Sequence, residues 1–305
     1  MVKIIDGRNY AKKLKALIRE ELEKLGPKPG LAIIQVGDNP ASQVYVGAKT
    51  DQAAEIGIRA KHYHFPEATP EEQLIHLIDQ LNKDEQTHGI ILQLPLPTLL
   101  KANNVIDRIL PQKDVDGLTT INAGRLSKGL PGLVPCTPLG CLLLLRSEIP
   151  RLMGLHAVIV GRSNLVGKPM AQILLQQDCT VTTLHSKSSQ PEELAKQADI
   201  IIVAAGSPGL VNETWIKKGA IVLDVGISRD AKGSLQGDVL LDPQSTDAAA
   251  ITPVPGGIGP MTVACLLYNT TIAMALQLAL PLKLLKPNPL RDPICLSSQA
   301  HNSKN

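Results

Sequence analysis

The chain has 305 residues, 44 % of them hydrophobic, and a formal net charge of +3 at pH 7. This length predicts about two domains, and the small charge, with few aromatic residues and no basic run, disfavours a nucleic-acid-binding protein. Five cysteines without a C-x-x-C pair disfavour a disulfide framework or a metal site, and no long apolar leader follows Met1, so we expect a cytoplasmic protein.

The first half of the chain alternates between helical and strand patterns. Apolar spacing predicts helices over 10–25, 42–56 and 71–81, and strands over 31–36, 58–63 and 89–93. Strands that alternate with helices form parallel sheets covered on both faces, so this half is predicted to be an α/β domain.

Three polar blocks in this half are unusual for a purely structural domain. Gln93 ends a buried strand, where ligands of open α/β sheets gather. Lys113-Asp-Val-Asp-Gly117 places two carboxylates beside a glycine, and Tyr45 and Lys49 share one face of the second predicted helix. Each block also has a structural interpretation. Gln93 would satisfy backbone groups at the strand end, and the two aspartates would cap a turn. Tyr45 and Lys49 would be a surface pair with a solvated lysine.

The second half opens with a strand over 157–160 that stops at Gly161, and Pro169 is well placed to begin a helix. A strand, a turn of small residues and a helix place backbone N–H groups and a positive helix end against a phosphate. A phosphate loop of the NTPase type is disfavoured, because Pro169 stands where its hydroxyl residue belongs. The dinucleotide fingerprint G-x-G-x-x-G fits loosely, with Gly161, Ser163 and Val166 at its three glycine positions; an ordinary strand-to-helix turn is the alternative.

The segment after the next predicted strand, over 180–184, indicates which dinucleotide fits. An NAD site places a carboxylate about 20 residues beyond the first glycine, whereas this chain has His185, Ser186 and Lys187 there. Arg162 lies in the first turn. Cations and hydroxyl groups stabilise a ribose phosphate, which a carboxylate would repel. The pattern favours NADP over NAD. The alternative is that Arg162 and Lys187 are solvated cations on the surface and bind no cofactor.

The remaining segments complete a second α/β domain. Strands are predicted over 200–204 and 221–225, and the junction between the domains falls within 118–155. Six of the eight residues over 253–260 are proline or glycine, which favours a rigid binding wall over a plain linker. The apolar run over 263–280 contains Asn, Thr and Gln and ends at a proline, so we expect a buried helix rather than a membrane span.

Two long blocks of the chain identify a family. One runs from Asn82-Lys-Asp, through five residues, to Ile-Ile-Leu-Gln-Leu-Pro-Leu96, and the other is Pro255-Gly-Gly-Ile-Gly-Pro-Met-Thr-Val263. Both resemble the signatures of the bifunctional methylenetetrahydrofolate dehydrogenase/methenyltetrahydrofolate cyclohydrolases, and the similarity extends over most of the chain. Ile258 stands where the family usually has valine. Asp51 stands where members often have a second lysine, and we expect it to affect surface charge rather than chemistry.

The resemblance implies an α/β fold with two domains flanking a cleft, the second a Rossmann-like NADP-binding domain with a mostly parallel sheet. It implies a folate-binding catalytic domain over 1–120, with the helix over 262–280 packed back on it, and an NADP-binding domain over 121–261. We expect the tail over 283–305 to be disordered. The resemblance also implies a homodimer that binds tetrahydrofolate derivatives, and neither nucleic acid nor a membrane is expected as a partner.

The implied activity is oxidation of 5,10-methylene-tetrahydrofolate by NADP⁺, followed by hydrolysis to 10-formyl-tetrahydrofolate. The residues implied are Lys49, Gln93 and Asp116 for catalysis, Tyr45, Pro253, Gly256 and Gly257 for the substrate, and Gly161, Arg162, Ser163, His185, Ser186 and Ile227 for the cofactor. In this interpretation a lysine transfers protons and a carboxylate accepts N–H bonds from the pterin. Two other functions stay open: an NADP-dependent dehydrogenase of another small acid, and a folate-binding protein without catalysis.

Overall fold

The computed structural model describes residues 2–230, 233–292 and 294. The chain divides into two compact units, which we name by their sheets. The six-stranded unit contains residues 2–12 and Thr137–Thr262, and the three-stranded unit contains Lys13–Cys136 and Val263–Ile294. The division falls after Cys136, within the predicted junction over 118–155 and beyond the boundary at residue 120 that the resemblance implied. The first residues of the chain group with the six-stranded unit.

The strands within the described residues are β1 (Lys3–Ile4), β2 (Gly30–Val36), β3 (Arg59–Phe65), β4 (Gly89–Leu92), β5 (His156–Val160), β6 (Thr180–Leu184), β7 (Ile200–Val203), β8 (Ile221–Asp224), β9 (Ser228–Arg229), β10 (Leu235–Gln236) and β11 (Ala250–Ile251). The α-helices there are α1 (Gly7–Leu25), α2 (Pro40–Glu55), α3 (Glu71–Lys83), α4 (Ala102–Ile106), α5 (Thr120–Ser127), α6 (Cys136–Glu148), α7 (Gly167–Leu175), α8 (Pro191–Ala195) and α9 (Ile258–Gln277). Every strand and helix predicted above is present, with its bounds shifted by a few residues. The short strands β1, β9, β10 and β11 and the short helices α4 and α5 were not predicted, because so few residues leave little periodicity to read. The 13-residue helix α6 was not predicted either, because it is buried at most of its positions and its run of leucines has no helical period.

The three-stranded sheet is parallel, with the order β3-β2-β4. Strand β2 is central and buried along its whole length, because its largely apolar run presents side chains to both covered faces. The chain leaves β2 for β3 on one side and then returns to β4 on the other. The carboxyl ends of β2 and β4 therefore form a topological switch point, where open α/β sheets bind ligands.

The six-stranded sheet is also parallel, with the order β1-β11-β8-β7-β5-β6. Its core is aliphatic, as at Val158, Ile201 and Val222, since the chain has only one Phe and one Trp. The chain passes from β5 to β6 on one side and then to β7 on the other, so a second switch point lies at the carboxyl ends of β5 and β7. The short hairpin of β9 and β10 follows β8.

Helix α9 is, among the described residues, the one helix long and apolar enough to cross a membrane. Within the protein, 83 % of its most apolar window is buried. The prediction of a buried core helix over 263–280 is confirmed, although the helix begins earlier and ends at Gln277. Its residues from Val263 onward group with the three-stranded unit.

The expectation of a disordered tail over 283–305 is wrong for residues 283–292. Leu285 and Leu290 are buried there, and the backbone N–H groups of Lys283, Leu284 and Leu285 all donate to the carboxylate of Glu21, which is itself fully buried on α1. The sequence gives no signal for this contact, because the segment forms neither helix nor strand. The rest of the tail, apart from Ile294, lies outside the described residues.

Candidate functional site

The switch point of the three-stranded sheet contains a buried lysine. Lys49 lies on α2 and is only 8 % exposed, and its Nζ donates to Oε1 of Gln93 at 2.7 Å. Gln93 directly follows β4, and its own Nε2 donates to the carbonyl oxygen of Leu94 at 2.7 Å. The amide is thereby oriented, with its oxygen towards the amine. The alternative of a solvated lysine on the helix surface is therefore wrong.

The two aspartates of the 113–117 block have different surroundings. Asp114 is buried, and its carboxylate accepts the N–H groups of Leu118 at 3.1 Å and Thr119 at 2.8 Å and the side-chain amide of Asn122 at 2.9 Å. The structural interpretation of this block, a turn capped by a side chain, therefore applies to Asp114. Asp116 is only partly buried and interacts electrostatically with Lys49, and its functional interpretation stays a prediction.

Burial and charge act in opposite directions on the pKa of both groups in this cluster. Burial lowers the pKa of the Lys49 ammonium below the ordinary lysine value of 10.5, and the charges of Asp116 and Cys136 oppose that shift. Burial likewise raises the pKa of the Asp116 carboxyl; the charge of Lys49 opposes this rise and that of Asp114 adds to it. An amine whose pKa is lowered in this way can accept and return a proton closer to neutral pH than a solvated lysine can.

The other residues of α2 agree with the predicted face. Tyr45 is partly buried one turn before Lys49, on the same side of the helix. Asp51 is exposed, as its expected effect on surface charge requires. The start of α2 is fixed by Asn39, whose side chain accepts the N–H of Ser42 at 3.1 Å.

The switch point of the six-stranded sheet is formed by backbone. Gly161 has φ 125°, and a Cβ there would lie 2.2 Å from the carbonyl oxygen of Ala204. A Cβ at Gly167 would lie 2.2 Å from the carbonyl oxygen of Gly161. Gly167, and not Val166, therefore supplies the close helix–strand approach of the fingerprint's third glycine. The hydroxyl of Ser163 accepts the N–H groups of Val166 and Gly167 at 3.1 and 3.4 Å and so closes the turn.

The side chains around this turn include a guanidinium, a hydroxyl, an imidazole and one apolar group. Arg162 and Ser186 are exposed, and His185 is partly buried, with its backbone N–H donating to the Ser188 hydroxyl at 2.9 Å. Ile227 is 45 % exposed and follows Gly226 at the end of β8. Residues Arg162, His185, Ser186 and Ile227 thus all lie in loops after the carboxyl ends of strands of this sheet.

The proline–glycine loop over 252–257, which precedes α9, belongs to the six-stranded unit, so the structure does not group it with Lys49. The N–H of Gly257 donates to the carbonyl oxygen of Pro253 at 2.8 Å, and the carbonyl oxygen of Gly256 accepts the N–H of Arg8 at 3.1 Å. The loop is therefore a defined turn rather than a plain linker.

Sequence reasoning missed two buried carboxylates of the six-stranded unit, Asp224 and Asp238. Asp224 ends a buried strand, as Gln93 nearly does, which was an available signal. Within the described residues there is no group of three His, Cys, Asp or Glu side chains that could hold a metal ion.

Comparison with known proteins gives consistent results for both units. A model of the tetrahydrofolate dehydrogenase/cyclohydrolase catalytic domain matches residues 5–116, and a model of the NAD(P)-binding domain of the same family matches residues 135–278. Bifunctional protein FolD 2 of Sinorhizobium medicae is 52 % identical over 282 residues, which are 90 % of this chain and 95 % of that protein.

Solved structures show the same similarity. The bifunctional FolD methylenetetrahydrofolate dehydrogenase/cyclohydrolase of Campylobacter jejuni is 43 % identical, with a TM-score of 0.88 over 91 % of this chain and 100 % of that one. The Trypanosoma brucei methylenetetrahydrofolate dehydrogenase-cyclohydrolase, solved with NADP cofactor and an inhibitor, is 38 % identical, with a TM-score of 0.86 over 91 % of this chain and 98 % of that one.

Proposed function

The chain belongs to the tetrahydrofolate dehydrogenase/cyclohydrolase family, and from that premise we propose that it catalyses two consecutive reactions of one-carbon folate metabolism. In the first, 5,10-methylene-tetrahydrofolate loses a hydride ion to NADP⁺ and becomes the 5,10-methenyl cation. In the second, water adds to this cation, a proton is released and the ring opens to 10-formyl-tetrahydrofolate. The observation that supports this most is the buried amine of Lys49, bound to Gln93 beside Asp116.

Lys49 transfers protons in the second reaction. An amine is a base only when it is uncharged, and burial shifts Lys49 towards that form. The bound cation shifts it further, because two positive charges repel each other. The amine accepts a proton from the adding water and returns one to the ring nitrogen as the C–N bond opens. Gln93 holds the amine at 2.7 Å and so fixes the direction of its lone pair.

Asp116 and Tyr45 bind the folate. The partly buried carboxylate of Asp116 accepts two N–H bonds from the donor-rich edge of the pterin. Tyr45, one turn from Lys49, stacks on the ring system. The role of Pro253, Gly256 and Gly257 in binding the substrate stays a prediction.

The residues of the second switch point fit NADP. At Gly161 and Gly167 no side chain separates the backbone from a bound pyrophosphate, and any Cβ there would collide with a carbonyl oxygen. Arg162 and Ser186 offer a cation and a hydroxyl for the ribose phosphate. When bound, NADP⁺ supplies the acceptor for the hydride. Ser163, His185 and Ile227 hold and border the loops around it.

We also propose that the protein is a cytoplasmic homodimer that needs neither nucleic acid nor a membrane. The family membership supports this assembly, and light scattering of the purified protein measures it directly.

The test of the activity uses purified protein, 5,10-methylene-tetrahydrofolate and NADP⁺, with NADPH and the methenyl intermediate followed at separate wavelengths. We expect NADPH to form, the methenyl signal to pass through a transient, and NAD⁺ to replace NADP⁺ poorly. Reduction of NADP⁺ only with a non-folate acid, or folate binding without NADPH formation, would contradict the proposal.

A further inference from the structure

Two buried carboxylates of the six-stranded unit lie at or near the ends of its strands, and neither has a role in the two proposed reactions. Asp224 ends β8 and is 5 % exposed, and Asp238 follows β10 and is fully buried. Oδ1 of Asp224 accepts the backbone N–H of Asp238 at 3.0 Å, so the two residues are directly linked. Burial, with the charge of Asp238 adding to it, raises the pKa of Asp224 to about 6 against three backbone hydrogen bonds.

The two carboxylates bind the backbone of the loops that follow neighbouring strands. Oδ2 of Asp238 accepts the N–H groups of Ala205 at 2.8 Å and Gly206 at 2.7 Å, in the loop after β7. Oδ1 of Asp224 accepts the N–H of Gly226 at 2.9 Å, at the start of the loop after β8, and its Oδ2 accepts the N–H of Val239 at 3.0 Å. The pair therefore fixes both loops.

The loop after β7 lies against the turn at Gly161, and the loop after β8 contains Ile227, a predicted cofactor residue. The carbonyl oxygen of Ala204, at the start of the loop after β7, lies 2.2 Å from the position that a Cβ of Gly161 would take, so a shift of this loop changes the surroundings of that turn. Gly226 immediately precedes Ile227, which is expected to contact the cofactor. Ligands of open α/β sheets bind at these strand ends.

Asp224 accepts three backbone N–H groups, whereas only one oxygen of Asp238 is hydrogen-bonded in the part of the chain that the structure describes. Buried carboxylates are costly unless cations or several donors neutralise them. Oδ1 of Asp238 is buried without a hydrogen-bond partner within the described residues. A neutral amide could bind the two N–H groups that Asp238 accepts without that cost.

We propose that Asp224 and Asp238 are positioning residues for the pyridine dinucleotide, because together they hold the loops after β7 and β8 in the conformation that binds it. The inference rests on the proposed dehydrogenase function but concerns a different part of the chain from the folate chemistry. It makes cofactor affinity, rather than hydrolysis, the property that depends on this pair.

The test compares Asp238→Ala with Asp238→Asn. The alanine variant loses the acceptor of both N–H groups, and we expect the Kd for NADPH, measured by its fluorescence, and the KM for NADP⁺ to rise about tenfold or more. In the asparagine variant the amide oxygen can take both N–H bonds, and the amide nitrogen replaces the oxygen that has no partner. Its affinity should stay within about threefold of the wild type.

Hydrolysis of methenyl-tetrahydrofolate needs no nucleotide and serves as the internal control, since both variants should retain it. Should the alanine variant fail to fold, Asp238→Ser replaces it, because the shorter hydroxyl cannot reach both N–H groups. Normal NADPH affinity in the alanine or serine variant, or an equal loss in the asparagine variant, would overturn the inference. Failure of the proposed function is recognised separately, because the wild type would then form no NADPH.

Discussion

The two switch points of this protein present different chemical groups. At the ends of β2 and β4 the functional groups are side chains: the amine of Lys49, the amide of Gln93 and, nearby, the carboxylate of Asp116. At the ends of β5 and β7 they are mainly backbone groups around Gly161, with an exposed cation beside them at Arg162. The same parallel topology therefore presents polar side chains at one switch point and mainly backbone groups at the other.

The difference predicts two kinds of sensitivity to mutation. Where side chains react, exchanging one functional group should abolish a chemical step and leave the fold intact. Where the backbone binds, adding a single methyl group should remove binding and also cost stability. Each of the following experiments tests one side of this comparison.

Lys49→Met should have the largest effect. Removing the amine removes the proton transfer, and we expect methenyl hydrolysis to slow by about a hundredfold to ten-thousandfold. The exposed Lys61→Met on β3 is the matched control and should hydrolyse normally. Full activity of the Lys49 variant, with cooperative thermal unfolding, would reject the role of the amine.

Gly161→Ala should abolish NADP⁺ reduction and destabilise the protein by roughly 2–4 kcal/mol, because the new methyl group meets a backbone carbonyl and φ is positive. Chemical denaturation with NADPH binding measures both effects. Gly124→Ala on α5 is the control, since a Cβ there has open space. Normal cofactor binding by the Gly161 variant would show that the backbone of this turn is not the binding surface.

Arg162→Ala should weaken NADP⁺ binding by about tenfold to a hundredfold while NAD⁺ binding changes little, because the proposed partner of the guanidinium is the ribose phosphate, which NAD⁺ lacks. The ratio of kcat/KM for the two cofactors measures this. Arg151→Ala, another exposed arginine of the same unit, should leave the ratio unchanged. An unaltered preference in the Arg162 variant would return Arg162 to the class of solvated surface cations.

Asp116→Asn should weaken folate binding, because an amide offers one acceptor oxygen in place of two, and at saturating folate it should have the smallest effect on hydrolysis, a shift in its pH dependence. The charge of Asp116 raises the pKa of Lys49 against the effect of burial. Hydrolysis needs the uncharged amine, so its rate should rise with pH through the pKa of Lys49, and the asparagine variant should reach half-maximal kcat at lower pH than the wild type. A midpoint that moves to higher pH would contradict this account of the electrostatics.

The sequence predicted the ends of strands better than it predicted the hydrogen-bond partners of side chains. Gln93 and Gly161 were found because a buried strand stops beside them, and such stops are visible in hydrophobic patterning. The roles of Asp114 and Asp116 were not separable, since two carboxylates two residues apart look alike until the fold shows which one meets the N–H groups of the turn.

Contacts distant in the chain left no pattern at all. Glu21 binds backbone more than 250 residues away, and Asp238 binds the loop after β7 across 32 and 33 residues. Each is one polar residue within an otherwise ordinary segment. Hydrophobic periodicity reports which face of an element is buried, and it says nothing about which remote N–H groups a buried carboxylate will accept.

The most direct measurement is a titration of the Lys49 side chain by NMR, with Lys49→Met used to assign its signal. The account requires a buried amine that sheds its proton in the range where the enzyme works, so the midpoint should lie clearly below the lysine value of 10.5 and fall further when a folate cation binds. A midpoint at or above 10.5 would mean that the amine stays charged, and proton transfer by Lys49 would then be excluded.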